Sequence, residues 1–204
     1  MKVLTRLNIT ATDMERTTIV VYGASSPKAE DVFSSSAYEL GALLAGAGKT
    51  IVTGAGSTGL MASVENGALQ AGGTAIGIIP QFMIDNGWLH QGLTRVITTE
   101  TMHQRKERMA QMADAVIALP GGTGTFEELF EVITWKMLGI FVKPIVILNT
   151  EGYYDPMFAM LDRAVERHFM SSRFTGLWAV ADTPQQALEL LDTLPDWDCS
   201  ESKI

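Results

Sequence analysis

Pro120-Gly121-Gly122-Thr123-Gly124-Thr125-Phe126-Glu127-Glu128-Leu129 decides how this chain folds. It follows a short apolar run, Ala115-Val116-Ile117-Ala118-Leu119, of the kind buried on both faces of a parallel sheet. Behind it, residues 126–138 contain few helix breakers and predict a helix. The order is therefore strand, glycine loop, helix N-terminus. Gly121, Gly122 and Gly124 leave backbone N–H groups open to a ligand, and the helix dipole adds positive potential there. Thr123 and Thr125 add hydroxyls. Such a loop suits an anion, above all a phosphate, and two carboxylates, Glu127 and Glu128, stand directly behind it.

Working outward, the same order recurs. Thr17-Thr18-Ile19-Val20-Val21-Tyr22 reads as a first strand, ending at Gly23. Ser25-Ser26-Pro27 follows, with the serine as N-cap and the proline in the first turn of a helix. Ser25 and Ser26 stand where strand hands over to helix, the edge at which open α/β sheets bind ligands; capping alone also explains them. Thr50-Ile51-Val52-Thr53 is a second strand. Gly54-Ala55-Gly56-Ser57-Thr58-Gly59 then gives a second glycine loop, which either faces a phosphate or serves close packing. It fits the dinucleotide fingerprint in spacing only, since it follows the second strand and lacks the later acidic partner. Residues 74–79 and 95–98 are further strands, separated by a loop over residues 81–92. Residues 144–149 and 178–181 complete the set, and helices are predicted between them. Strands alternating with helices predict one α/β domain, a doubly wound and mostly parallel sheet over residues 17–194. Residues 1–16 read as an arm, and residues 195–204 as a disordered or loosely packed tail.

Composition narrows the function. The chain has 204 residues, 47% of them hydrophobic, and a net charge of −8. That charge argues against a nucleic-acid partner, which needs a basic surface. No apolar run approaches the roughly 20 residues of a membrane span, and no signal-peptide pattern opens the chain. A single cysteine, Cys199, excludes an internal disulfide and fits a cytoplasmic location. His90, His103 and His168 lack metal-ligand spacing, so neither a metal nor a cofactor is expected.

The helix opened by Thr101 and Gln104, a capping-box pair, holds an oddity. Met102, Arg105, Met109 and Met112 share one stripe, which puts a guanidinium on an apolar face. Arg105 there requires an anion, either a carboxylate of this chain or a ligand phosphate. Lys106 is beside it. Phosphate donors next to carboxylates point to a nucleoside monophosphate or a sugar phosphate. A carboxylate can stabilise the oxocarbenium-like transition state of N-glycosidic cleavage and deprotonate water. Helix geometry offers a plainer account of the acids. Thr125-x-x-Glu128 has capping-box spacing, and Glu127 is a helix-start acid. The helix over residues 126–138 is apolar nearly all round, which predicts a subunit interface with Trp135 and Met137 as anchors; the central helix of a monomer would show the same pattern.

Pro120-Gly121-Gly122-x-Gly124-Thr125-x-x-Glu128 resembles the PGGxGTxxE signature of the LOG (Lonely guy) family of phosphoribohydrolases, proteins often labelled lysine decarboxylases. Met102-His103-Gln104-Arg105-Lys106 resembles the family's MHxRK segment. The second glycine loop with Leu60-Met61 resembles its GGGxxGLM segment, with Ala55 at the middle glycine. The likeness continues through Glu131-Val132-Ile133-Thr134-Trp135 and Gly152-Tyr153-Tyr154. It implies a Rossmann-like fold and a homodimer with active sites near the interface. It further implies hydrolysis of AMP or an N6-modified AMP to free base and ribose 5-phosphate. Arg105 and Glu128 would be the catalytic pair. Lys106, Gly121, Gly122, Thr123, Gly124, Thr125, Glu127 and Thr134 would contact the nucleotide, with Met102, Ser25, Gly54 and Gly56 lining the site. The family's substrate-binding glutamate after the third strand is missing here, where the segment reads Pro80-Gln81-Phe82-Met83-Ile84-Asp85, and Asp85 is the acid that would take its place. A non-catalytic carrier of a nucleotide or of the molybdenum cofactor is the alternative on the same fold.

Overall fold

The computed structural model describes residues 16–199. Seven strands carry the core: β1 (Thr18–Tyr22), β2 (Thr50–Thr53), β3 (Ala75–Pro80), β4 (Arg95–Thr99), β5 (Ala115–Ala118), β6 (Ile145–Leu148) and β7 (Ala179–Ala181). Every neighbouring pair is parallel, in the order β4-β3-β2-β1-β5-β6-β7. The helices are α1 (Asp31–Gly46), α2 (Gly59–Gln70), α3 (Gln81–Asp85), α4 (Met102–Met112), α5 (Thr123–Met137), α6 (Asp155–Glu166) and α7 (Pro184–Thr193). The chain is thus one α/β domain with a doubly wound parallel sheet.

Alternate residues of each strand feed two separate cores. Ile19 and Val21 pack with Leu40 and Leu44 of α1, Leu60 and Val64 of α2, and Leu191 of α7. Val20 and Tyr22 face the other layer, with Met109 of α4 and Leu129, Val132 and Ile133 of α5. Because helices cover both faces, the strands read as continuous apolar runs. The strand order reverses between β1 and β5, and the two loops that diverge there are residues 23–26 and 119–122. Ala24 N–H donates to the Pro120 carbonyl at 3.1 Å, which ties the two loops together at the switch point.

Several local expectations are corrected. Helix α1 starts at Asp31 with Glu30 at its N-cap, so Ser26 does not cap it; Ser26 Oγ instead accepts from Lys28 N–H at 3.3 Å. The loop over residues 81–92 contains α3. Helix α5 starts at Thr123, three residues earlier than predicted, with Gly122 at its N-cap. Residues 195–199 are anchored rather than loose. Asp196 pairs with Lys143 at 3.1 Å, and Trp197 N–H donates to the Val142 carbonyl at 2.7 Å. The predicted arm lies outside the described residues except for Arg16. Its guanidinium donates to the Leu191 and Leu194 carbonyls and pairs with Asp196 at 3.2 Å. The predicted cap on α4 forms, with Gln104 N–H donating to Thr101 Oγ1 at 3.2 Å. Among the described residues no helix is long and apolar enough to cross a membrane.

One buried acid supports the second glycine loop. Glu65 of α2 is fully buried, and Thr53 Oγ1 at the end of β2 donates to its Oε1. Thr53 Oγ1 in turn accepts from Ala55 N–H at 3.1 Å. Ala55 sits at φ 61, a left-handed conformation that costs a non-glycine residue about 1 kcal/mol. The chain from carboxyl to hydroxyl to amide holds it there. Glu65 Oε2 has no hydrogen-bond partner among the described residues. Burial pushes the Glu65 carboxyl up to about 8 from its ordinary 4.5, against the Thr53 hydrogen bond, which lowers it.

The folded state therefore holds a proton that the unfolded chain releases above pH 4.5. Stability is expected to fall as pH rises from the ordinary value of 4.5 towards about 8, by on the order of a few kcal/mol. Urea denaturation of the wild type and of Glu65→Gln across that window checks this. The glutamine variant should lose less stability; parallel curves would refute a protonated Glu65.

Candidate active site

The C-terminal edge of the sheet carries a cleft of about 540 Å³. Its lining comes from the loops after β1, β2, β3 and β5, from the start of α4 and from the first turns of α5. Following the strand order, these loops span β5, β1, β2 and β3, three strand spacings or about 14 Å.

At the β5 end, Gly122, Thr123, Gly124 and Thr125 line the cleft. The first backbone bond of the α5 ladder is Phe126 N–H to the Gly122 carbonyl at 3.0 Å. The N–H groups of Thr123, Gly124 and Thr125 precede it and, with the helix dipole, form an anion seat. Two tyrosines hold the loop from behind. Tyr153 OH donates to the Gly121 carbonyl at 2.6 Å, and Tyr154 OH to the Leu119 carbonyl at 2.7 Å. These bonds fix the carbonyls inward, on the side away from a ligand. Gly121 itself is buried beneath the cleft and does not line it.

Beneath the cleft lies an ion pair. Arg105 Nη2 is 3.3 Å from Glu128 Oε1, and both side chains are less than one-tenth exposed. Arg105 reaches this position from the first turn of α4, and Glu128 from the second turn of α5. Arg105 Nε donates to the Ile78 carbonyl at 3.2 Å, and Nη1 lies 3.8 Å from Met102 Sδ. The second glycine loop makes room for the guanidinium. A Cβ built on Gly54 would lie 1.7 Å from Arg105 Nη2, so no side chain at Gly54 coexists with this arrangement. Burial raises the Glu128 carboxyl, Arg105 opposes the rise, and the charge of Glu127 adds to it. Tyr22, at the end of β1, is raised by its own burial and then by Glu128, so its hydroxyl stays protonated.

Glu128 does not cap α5. With Gly122 at the N-cap, Thr125 is the third helical residue and Glu128 the sixth, beyond the reach of a capping box. Glu127 lines the cleft and pairs with Lys106, which also reaches Glu131 at 3.1 Å. Burial lowers Lys106, but Glu127 and Glu131 outweigh it and hold its ammonium above the ordinary lysine value. The structure thus brings Ser25, Gly54, Gly56, Met102, Arg105, Glu127 and Glu128 into one cleft with residues 122–125. Lys106 stands one shell behind. Thr134 is exposed farther along α5, where its hydroxyl donates to the Phe130 carbonyl at 2.7 Å. Asp85 does not line the cleft; it is exposed and accepts from Gln81 Nε2 at 2.8 Å.

Trp88 and Met83 line the β3 end of the cleft, and sequence reading passed over both. A signal for them exists. Asn86-Gly87 is a helix stop, and Gly87 has φ 75 as the left-handed residue that ends α3. Gly87 N–H donates to the Ile84 carbonyl at 2.9 Å and Trp88 N–H to the Met83 carbonyl at 3.1 Å, the paired bonds of a Schellman motif. Among the described residues no cluster of three or more acidic, histidine or cysteine side chains is placed to hold a metal.

The chain resembles known proteins over most of its length. The family model described as "Possible lysine decarboxylase" matches residues 61–191. Cytokinin riboside 5′-monophosphate phosphoribohydrolase LOG2 of Arabidopsis thaliana is 40% identical over 187 residues, covering 91% of this chain and 88% of that protein. Cytokinin riboside 5′-monophosphate phosphoribohydrolase LOG of Oryza sativa subsp. japonica is 38% identical over 181 residues, covering 88% and 75%. Among solved structures, the molybdenum cofactor binding protein of Rippkaea orientalis superposes with a TM-score of 0.68 at 25% identity, covering 89% of this chain and 98% of its own. The molybdenum cofactor carrier protein of Chlamydomonas reinhardtii gives 0.67 at 25%, covering 87% and 96%.

Proposed function

The chain belongs to the LOG family of phosphoribohydrolases, and from that premise we propose that it hydrolyses the N-glycosidic bond of AMP or an N6-modified AMP, releasing the base and ribose 5-phosphate. The observation that carries this reading is the buried Arg105–Glu128 pair beside the α5 anion seat. The 5′-phosphate sits on the N–H groups of Thr123, Gly124 and Thr125, with the Thr123 and Thr125 hydroxyls as further donors. That places the ribose over Glu128 and Arg105. The C1′–N9 bond breaks with its electron pair leaving on the base, and positive charge develops at C1′. The Glu128 carboxylate stabilises that charge and takes a proton from the water that adds to C1′; that proton passes on to the departing base, which leaves neutral, and Glu128 is ionised again. Arg105 keeps Glu128 oriented and ionisable in a site that disfavours charge. Lys106 plays the corresponding part for Glu127.

Replacing Glu128 by Gln or Arg105 by Ala is expected to lower kcat by roughly 10²–10⁴-fold, with the far-UV spectrum unchanged. Because Glu128 acts ionised, kcat/KM should fall in acid with a midpoint above the ordinary glutamate value of 4.5. Arg105 lowers that midpoint, so Arg105→Ala should move the residual activity's midpoint to higher pH. Chromatography for free base after incubation with AMP and with N6-isopentenyl-AMP checks the reaction. The likeness to molybdenum cofactor carriers supports a second, non-catalytic reading. Binding of both nucleotides without base release would favour it and overturn the hydrolase.

A homodimer with its sites near the interface belongs to the same proposal, as does a cytoplasmic location. In support, α5 and the turn after it expose Phe130, Leu138 and Ile140, the last 70% exposed, beside the partly buried Trp135. Elution at the dimer mass in sizing chromatography is the expected result, and elution at the monomer mass would refute the interface.

A further inference from the structure

Resting on the hydrolase reading, we infer that Trp88 is a base-binding residue: its indole stacks on the purine, so this site holds the base by an apolar face rather than by a carboxylate. Topology fixes which end of the cleft meets the base. With the phosphate on α5 after β5 and the ribose over the Arg105–Glu128 pair, the base extends past the β2 loop to the segment after β3. There it meets Trp88 and Met83.

Trp88 is 49% exposed and lines the cleft. Such a large aromatic left half in water is pre-arranged for a flat apolar ligand. Its backbone is pinned on two sides. The Schellman bonds hold it from α3, and Ser57 N–H donates to the Trp88 carbonyl at 2.9 Å. His90 N–H donates to the Ala55 carbonyl at 3.0 Å, closing an antiparallel bridge between Gly56 and Leu89. The segment that carries the indole is therefore bonded to the glycine loop that makes room for Arg105. Stacking on it costs little ordering of the chain.

The polar alternative is missing at this end. Asp85, the nearest acid, is turned outward and bonded to Gln81. Glu127 and Glu128 come from α5 and not from this segment. No carboxylate from the segment after β3 lines the cleft to receive the exocyclic amine of adenine. A base whose amine carries an apolar substituent keeps every contact that plain adenine makes and adds apolar contact with Met83.

Steady-state kinetics of wild type, Trp88→Ala and Trp88→Phe with AMP and with N6-isopentenyl-AMP test this, alongside calorimetric Kd values. Trp88→Ala should raise KM and Kd for both nucleotides by about tenfold with kcat nearly unchanged. Trp88→Phe should recover most of the loss. Wild-type kcat/KM for N6-isopentenyl-AMP should equal or exceed that for AMP. Unchanged KM and Kd in Trp88→Ala, a fall confined to kcat, or a tenfold wild-type preference for AMP would each overturn the inference. If the wild type released no base, the hydrolase reading would fail alone; the Kd values would still decide the role of Trp88.

Discussion

The site depends on one buried ion pair. Arg105 and Glu128 face each other at 3.3 Å, nearly out of contact with water. Their mutual attraction must be set against the loss of two hydration shells, so such a pair is a poor device for stability. The surroundings are nonetheless built to keep it. Gly54 withholds a side chain from the space the guanidinium occupies, and the Ile78 carbonyl takes one of its N–H groups. Ala55 tolerates a left-handed backbone, held by Thr53 and a buried Glu65. Concessions concentrated at one point of a sheet edge mark a place selected for chemistry.

The sheet order sets that point in an open cleft. Strand order reverses between β1 and β5, and the diverging loops open the crevice. On one side, α5 presents N–H groups to a phosphate. On the other, the loops after β2 and β3 are stitched together through Gly56 and Leu89 and carry Trp88 over the cleft. The ion pair lies between them. In the proposed reaction a nucleoside monophosphate laid along this crevice would put its glycosidic carbon near Glu128, a cleft carboxylate that burial raises.

Much of this was legible in the sequence. Apolar runs ending in glycine loops specified parallel strands and their functional edge, and the PGG and RK segments specified the family. The 3,4,3 spacing that put Arg105 on an apolar face foretold a buried guanidinium with an anionic partner. What spacing left open was the partner. Capping-box arithmetic offered Glu128 a local role because the helix start was placed too late; once Gly122 is the N-cap, that role disappears. Three residues of helix boundary thus separated a structural reading from a chemical one. Trp88 was missed for a different reason. Its place rests on a five-residue helix and on a bridge to a loop some thirty residues earlier, and no periodic pattern reports such a contact. The anchored segment at Trp197 was missed likewise, because it is held by tertiary bonds and not by its own composition.

A crystal structure of Glu128→Gln with AMP bound tests the assignment of the cleft most directly. The phosphate is expected on the N–H groups of Thr123, Gly124 and Thr125, with C1′ of the ribose over residue 128 and beside Arg105. A phosphate seated at the β2 or β3 loops, or a ribose out of reach of residue 128, would contradict it.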